Sequence, residues 1–238
     1  MADVSRETPS TPEAARRAFP SDRMDLAERY VALLATDGVV RGLIGPRETP
    51  RLWDRHVLNC AAVARLLPEG ANVCDVGSGA GLPGLVLAIA RPDVRVELVE
   101  PLLRRTTFLT EAVEGLGLDN VVVTRARADA LHGASAFDVV TARAVAPLGR
   151  LLEWCMPLVA PTGALLAMKG SSAADEIGAA EPVLSRLGCA APEVVDVPVD
   201  DAVEGAVPTR VVRVSWAAPS RVSWPGRRSG QPKRRRAT

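Results

Sequence analysis

From residue 72 onward, short apolar runs alternate with longer stretches of helical periodicity. The apolar runs cover residues 72–76, 94–100, 120–126, 137–143 and 163–169, and the helical stretches between them cover 84–91, 103–117, 146–159 and 172–187. Strands separated by helices at this spacing predict a doubly wound, mostly parallel sheet with helices on both faces. Two further runs, 193–199 and 209–216, follow each other without room for a helix. They predict a closing hairpin with an antiparallel last strand, and therefore an α/β fold with seven strands.

Two helical segments precede the sheet and predict a small cap over residues 22–70. The first covers residues 23–36, and the second runs from about Pro50 to Leu67, with Trp53 and Val57 on its apolar stripe. The first 21 residues are rich in Pro, Ser, Thr and Glu, which predicts disorder. The sequence therefore predicts a disordered N-terminus (1–21), a cap (22–70), a cofactor-binding domain (71–216) and a disordered basic tail (217–238).

The charge is distributed unevenly along the chain. Its net charge is +1, but seven of the 29 basic and none of the 28 acidic side chains lie in residues 217–238, which leaves −6 on residues 1–216. A body of this charge needs a local basic patch to attract phosphate. The candidates are Arg104, Arg105, Arg125, Arg127, Arg143, Arg150 and Lys169. The tail, with Trp224 available for stacking, is equally consistent with an RNA-binding arm and with a solvated terminus.

The four cysteines are scattered among apolar neighbours and form no C-x-x-C pair. This pattern predicts buried free thiols in a reducing compartment. The N-terminus has no apolar core of a secretory signal, and the chain has no run of 18 apolar residues. We therefore expect a cytoplasmic protein without a membrane segment.

A glycine-rich turn joins the first predicted strand to the next helix, with the sequence Asp75-Val-Gly-Ser-Gly-Ala-Gly-Leu-Pro-Gly84. Glycines let a ligand approach the backbone, and the N–H groups of the following helix face the same place. The turn therefore predicts a nucleotide-like cofactor. Residues 79–84 match the dinucleotide pattern G-x-G-x-x-G. That pattern should begin where the strand ends, at Val76, so here it starts two residues too late for a dinucleotide site.

An acidic residue two positions before G-x-G-x-G, as Asp75 is here, is instead the usual first motif of S-adenosylmethionine-dependent methyltransferases. Asp75 is then expected to face the amino-acid end of the cofactor through N–H groups or water. Glu100 ends the second strand, where a carboxylate suits the two ribose hydroxyls. A phosphate loop is excluded because no Gly-Lys-Ser/Thr follows the glycines.

The same turn resembles the signature of the RsmG (GidB) family, the bacterial 16S rRNA guanine-N7 methyltransferases, and Leu82-Pro83-Gly84 is its family-specific part. The resemblance covers roughly residues 22–215. The further elements that agree in order and spacing are Arg55-His56, Arg91-Pro92, Arg104-Arg105 before Phe108-Leu109, Arg127 with Asp129, Ala142-Arg143-Ala144 and Lys169-Gly170. Glu100 stands where many relatives have Asp, and both residues bind a ribose.

The resemblance implies a class I, Rossmann-like enzyme that uses S-adenosylmethionine to methylate N7 of a guanine, position 527, in 16S rRNA. It implies an adenine site at Ala128 and Asp129, and it places Arg143 between cofactor and target base. Cofactor contacts are expected from the turn itself, at Gly77, Gly79, Gly81 and Leu82. The expected partner is 16S rRNA or the small ribosomal subunit, and we expect a monomer without a metal.

Two more residues are candidates on their own evidence. Lys169 is one of only two lysines and closes the fifth strand, so it predicts a point-charge contact to an RNA phosphate or to the base. His56 is one of two histidines. A general base is conceivable there, although a contact to RNA phosphate or packing on the core is the more ordinary role.

The residues alone leave rival functions open. A small-molecule or protein methyltransferase has the same fold, because the fold does not set the substrate. An inactive cofactor-binding RNA chaperone and an NAD-dependent oxidoreductase are the other rivals. Guanine N7 carries a lone pair and no proton, so its methylation needs alignment and water exclusion rather than a base. The chemistry permits an N7 target, but only the family resemblance selects it.

Overall fold

The computed structural model describes residues 9–200 and 207–223, with a seven-stranded sheet at its centre. The strands are β1 (Asn72–Val76), β2 (Arg95–Val99), β3 (Val121–Thr124), β4 (Phe137–Arg143), β5 (Val159–Lys169), β6 (Glu193–Val197) and β7 (Thr209–Val214). Their order across the sheet is β3-β2-β1-β4-β5-β7-β6. β7 runs antiparallel to β5 and β6, while β1 to β5 pair in parallel. The predicted α/β fold and its closing hairpin are confirmed.

Helices cover both faces of the sheet. They are α1 (Glu13–Ala18), α2 (Met24–Leu33), α3 (Leu58–Val63), α4 (Gly84–Ala90), α5 (Leu103–Leu116), α6 (Leu148–Cys155) and α7 (Ala173–Leu187). Successive side chains of a strand point to opposite faces. Accordingly, Val73 of β1 packs in the core formed with α2 to α5, and Cys74 packs in the core formed with α6 and α7. The central strands are buried on both faces, as a parallel sheet requires.

The N-terminal segment differs from the prediction of disorder over residues 1–21. Helix α1 lies within that range, and its Ala15 is fully buried. Phe19 follows one helical turn later, is also buried, and packs edge-on against Trp53 with the ring centroids 6.5 Å apart. The prediction was wrong for these residues because composition does not show the spacing of two apolar anchors. Residues 1–8 lie outside the described part of the chain.

The second cap segment is helical throughout, but its hydrogen bonding changes along its length. A 3₁₀ segment (Pro46–Arg51) leads into a π-helical turn (Leu52–Val57), then α3, and then a 3₁₀ turn (Ala64–Leu66). The predicted apolar stripe is confirmed, since Trp53 and Val57 are buried. The π-helical turn carries Arg55 and His56, which places both at the edge of the sheet described next.

The carboxyl ends of the parallel strands meet at one edge of the sheet. Gly77 follows β1, Glu100 follows β2, Asp129 lies after β3, and Arg143 and Lys169 end β4 and β5. β1 and β4 are neighbours, and the chain leaves them toward opposite faces, which opens a crevice at this edge.

The chain after β7 is described only as far as Ser223 and contains a 3₁₀ turn, Pro219–Arg221. Most of the predicted basic tail, including Trp224, lies outside the described residues. Among the residues described, none of the helices is long and apolar enough to cross a membrane.

Candidate cofactor and base-binding site

The glycine turn forms the floor of the crevice. Gly77, directly after β1, has a φ of +73°, and a Cβ there would lie 2.8 Å from Cγ2 of Val145. Both the backbone conformation and the space therefore require glycine. Gly79 and Gly81 also have positive φ, and the peptide N–H of Gly79 donates to Glu100. The positive φ angles of these three glycines set the conformation of the turn beside the crevice.

Asp75 supports this turn from beneath. Its side chain is fully buried, and Oδ2 accepts a hydrogen bond of 3.0 Å from the Gly84 N–H at the start of α4. Oδ1 is buried without a hydrogen-bond partner among the described residues. Burial raises the pKa of Asp75 to about 7, against the opposing effect of the Gly84 N–H. Asp75 lines neither of the two cavities beside the turn, so its predicted link to the cofactor stays a prediction.

Glu100 is the buried carboxylate of the crevice. Its Oε2 accepts from the Gly79 N–H at 3.1 Å and its Oε1 from the Leu102 N–H at 3.0 Å. Arg105 lies 3.4 Å from Oε2. A carboxylate has about four acceptor positions, so these contacts orient it and leave acceptor capacity toward the cavity. Its position fits the predicted ribose contact, which stays a prediction.

A narrow slot of about 160 Å³ lies between the ends of β1, β2 and β3. Its wall is mostly apolar and includes Val99, Pro101, Ala128 and Trp154, with the Asp129 carboxylate at its edge. Asp129 is exposed and only weakly paired, since Arg127 Nε lies 3.4 Å away. A flat slot with one acceptor at the rim suits an aromatic ring that carries an amine, as predicted for adenine.

A larger cavity of about 620 Å³ adjoins the slot along Gly77, Pro101 and Val145. It is lined by the glycine turn with Leu82, by Glu100, and by His56 and Arg143. We call this larger cavity the cofactor cavity. The slot and the cofactor cavity together form one elongated site. Of the predicted cofactor residues, Asp75 and Gly81 do not line this site. The others do: Gly77, Gly79, Leu82, Glu100, Ala128, Asp129 and Arg143.

Arg143 stands between the cofactor cavity and a second cavity of about 750 Å³, and lines both. Its Nη2 lies 2.5 Å from Nδ1 of His56, and its Nη1 lies 3.4 Å from Sγ of Cys60. His56 in turn contacts Glu48 through Nε2 at 2.9 Å. Glu48 was not predicted, because it lies in a Pro-rich 3₁₀ segment with no periodic pattern to single it out.

The second cavity is cationic. Among the described residues, the charged side chains that line it are Arg55, Arg143, Lys169, Arg210 and Glu176. Lys169 pairs with Glu176 and Arg210 pairs with Asp196, so the excess positive charge comes from Arg55 and Arg143. Arg55 comes from the cap, and Arg210 comes from β7. No local sequence pattern indicates that these two side chains lie close together, because their proximity depends on long-range packing. Neither therefore appears among the predicted patch residues.

Lys169 corrects one prediction. Its side chain is only 8% exposed, and Nζ donates to Glu176 at 2.7 Å and to the Ala146 carbonyl at 2.8 Å. Glu176 also accepts from the Leu148 N–H. The lysine is therefore not a free charge for RNA, because a carboxylate and a carbonyl already surround it. It holds the segment 144–148, in which Ala144 has a positive φ of 53°.

The predicted basic patch is likewise largely engaged within the protein. Arg105 pairs with Glu100, Arg127 with Asp129, and Lys169 with Glu176. Arg150 lies over the ring of Trp154, 5.7 Å from its centroid. These four cations are therefore already in contact with other groups of the protein.

The donor set of the site fits a nucleoside cofactor. It combines a backbone cradle that a Cβ would fill at Gly77, an oriented carboxylate at Glu100 and an apolar slot. Within residues 9–200 and 207–223, no group of three or more His, Cys, Asp or Glu side chains is arranged to hold a metal ion. β1 ends at Val76, whereas the pattern G-x-G-x-x-G begins at Gly79, two residues too late for a dinucleotide site. Read from Gly77, where that pattern should begin, its third glycine falls on Leu82.

This sheet order and site define the class I S-adenosylmethionine-dependent methyltransferases. The fold matches the structure of a SAM-dependent methyltransferase from Aquifex aeolicus, with a TM-score of 0.52, 19% identity, and coverage of 73% of this chain and 97% of that one. Residues 23–198 match the family described as GidB, rRNA small subunit methyltransferase G. The chain belongs to this family.

Curated relatives support the assignment over nearly the whole chain. The ribosomal RNA small subunit methyltransferase G of a Nocardioides species is 68% identical over 236 residues, covering 98% of this chain and 93% of the relative. The protein of the same name from Salinispora arenicola is 62% identical over 193 residues, covering 78% and 79%.

Proposed function

We propose that this protein transfers the methyl group of S-adenosylmethionine to N7 of guanine 527 in 16S rRNA. Family membership supports the reaction. The structural observation that carries the proposal is Arg143, which lies between the cofactor cavity and a second cavity. Among the described residues, the excess positive charge of that second cavity comes from Arg55 and from Arg143 itself, because Lys169 and Arg210 are paired with carboxylates. A nucleotide with its phosphate suits the second cavity by charge.

The cofactor would lie along the elongated site. The apolar slot would take the adenine, with Asp129 accepting from its amine, and Glu100 would accept from the ribose hydroxyls. Leu82 and the glycine turn would enclose the amino-acid end. When bound, S-adenosylmethionine supplies an electrophilic methyl group on its sulfonium.

The chain's own residues orient the base rather than activate it. Guanine N7 needs no deprotonation, so the enzyme requires no general base there. His56 is already committed to Arg143 and Glu48, which agrees with this requirement. Two of the five N–H donors of Arg143 face His56 and Cys60, and the others are available to an acceptor such as guanine O6, beside N7.

The partner is 16S rRNA, free or within the small ribosomal subunit, and the protein works as a monomer in the cytoplasm, where that RNA is assembled. Arg55 and Arg143 contribute cationic groups to the second cavity from two different elements. Local attraction of this kind offsets the net charge of −6 on residues 1–216.

The test is methyl incorporation from labelled S-adenosylmethionine into 16S rRNA and small subunits from a strain that lacks this modification, followed by mapping of the base. We expect a single N7-methylguanine at position 527. Arg143→Gln should lower incorporation at least tenfold while the dissociation constant for S-adenosylhomocysteine changes little. Labelling of protein or metabolites instead of rRNA would overturn the proposed substrate, and cofactor binding without any incorporation would favour a non-catalytic binding protein.

A further inference from the structure

We propose that Glu48 and His56 form a positioning pair for Arg143, and that His56 Nδ1 is the atom that orients the guanidinium between the two cavities. The inference rests on the proposed function, because it gives a role in that reaction to two cap residues. Neither residue lies on the sheet that carries the cofactor turn. The cap would therefore position a side chain of the site in addition to lining the cavity.

Hydrogen-bond chemistry defines the state of His56. A guanidinium only donates, so Nδ1, which faces Arg143, must be unprotonated and accept. In a neutral imidazole the proton then lies on Nε2, and Nε2 faces the Glu48 carboxylate at 2.9 Å. Glu48 therefore selects the tautomer whose other nitrogen suits Arg143.

The charges around His56 agree with a neutral ring. Burial lowers its pKa, the positive charge of Arg143 lowers it further, and Glu48 acts in the opposite direction. Arg55, the other charged group facing the ring, also lowers the pKa. Protonation would place an N–H against the guanidinium and break the contact.

One short segment of the cap, the π-helical turn, contributes to both cavities. Arg55 and His56 are consecutive, yet Arg55 lines the second cavity and His56 the cofactor cavity. Cys60, on α3, contacts the guanidinium from the same side of the protein as His56. Both terminal nitrogens of Arg143 thus contact the cap. A π-helical turn at this place agrees with the frequent occurrence of such turns at functional sites.

Two substitutions of His56 separate its two nitrogens. The amide oxygen of His56→Asn occupies the place of Nδ1 and keeps an acceptor for Arg143, while the contact to Glu48 is lost. His56→Gln reaches Glu48 but offers no acceptor at the Nδ1 position. We expect His56→Gln to lower kcat for rRNA methylation by about tenfold to a hundredfold, as for a lost hydrogen bond to a charged group, and His56→Asn to retain most of kcat.

Asp54→Asn is the matched control, because Asp54 is exposed on the same turn and lines neither cavity. It should leave kcat and KM unchanged. S-adenosylhomocysteine affinity should change much less than kcat in His56→Gln if the pair acts through Arg143. Equal losses of kcat in His56→Asn and His56→Gln would overturn the assignment of Nδ1.

The pH profile gives a second readout that a purely structural role would not alter. In the wild type, kcat should fall on the acid side of pH 6.5 as His56 becomes protonated, whereas His56→Asn has no titrating group there and should lack that decline. An identical acid limb in both proteins would contradict the proposal.

Histidine NMR tests the pair without any methylation assay. The chain has two histidines, so ¹⁵N spectra of the wild type and of His132→Asn assign His56 directly. We expect the neutral Nε2–H tautomer at pH 7.5, and a weaker preference for it in Glu48→Gln. An Nδ1–H tautomer or a protonated ring would overturn the proposal. If the proposed function is wrong, the wild type itself will not methylate rRNA. If only the positioning pair is wrong, the wild type will be active and the histidine spectra will differ from those expected, so the two failures are distinguishable.

Discussion

Asp75→Asn should flatten the pH dependence of folding stability between pH 5 and pH 8. The side chain is fully buried and one of its oxygens has no partner among the described residues. Burial raises the pKa of Asp75 from 3.8 to about 7. The asparagine keeps an oxygen for the Gly84 N–H but has no proton to exchange in this range, so it removes the titration and retains the hydrogen bond.

The sign follows from the raised pKa. The folded protein holds the Asp75 proton more tightly than the unfolded chain, so this stabilisation is complete below about pH 4 and is lost as the pH rises through about 7. The full difference corresponds to about 4 kcal/mol. About 2–3 kcal/mol of it is lost between pH 5 and pH 8.

The assay is urea unfolding at pH 5 and pH 8. The difference in unfolding free energy between wild type and Asp75→Asn should shift by about 2–3 kcal/mol between the two pH values, with the wild type relatively more stable at pH 5. Other titrating groups cancel in this difference. Parallel pH dependences for wild type and Asp75→Asn would refute the reasoning about the buried carboxylate.

Three further predictions concern the turn, the loop and the tail. Gly77→Ala should weaken S-adenosylhomocysteine binding at least tenfold by calorimetry, because a left-handed alanine costs roughly 1–2 kcal/mol and its Cβ meets Val145; an unchanged dissociation constant would contradict the cradle. Lys169→Met should destabilise the protein by roughly 2–4 kcal/mol in urea, since Glu176 loses its counter-charge. The double variant with Glu176→Gln should recover part of that loss, and a stable single variant would show that the pair is dispensable. Deletion of residues 224–238 removes six basic side chains and should reduce the salt dependence of RNA binding measured on filters; an unchanged slope would favour a solvated terminus.

The sequence by itself determined the order of strands and helices, the glycine turn and the acid that ends β2. These features follow from local patterns, since strand and helix periodicity and the need for glycine at positive φ are properties of short segments. The carboxyl ends of parallel strands necessarily share an edge. Gly77 and Glu100 could therefore be placed at one site before any contact was known, whereas Asp129 was assigned through the family resemblance. The helix α1 escaped this reasoning, because it is too short for its pattern to stand out from its composition.

Only the tertiary structure decided which side chains are free and which are engaged. Lys169 is paired with Glu176, and Asp75 lies beneath the turn, although both sequence positions pointed to a ligand. Arg143 contacts His56, 87 positions away in the chain. A hydrogen-bond partner at that separation depends on how the cap packs on the sheet, and local periodicity carries no information about it.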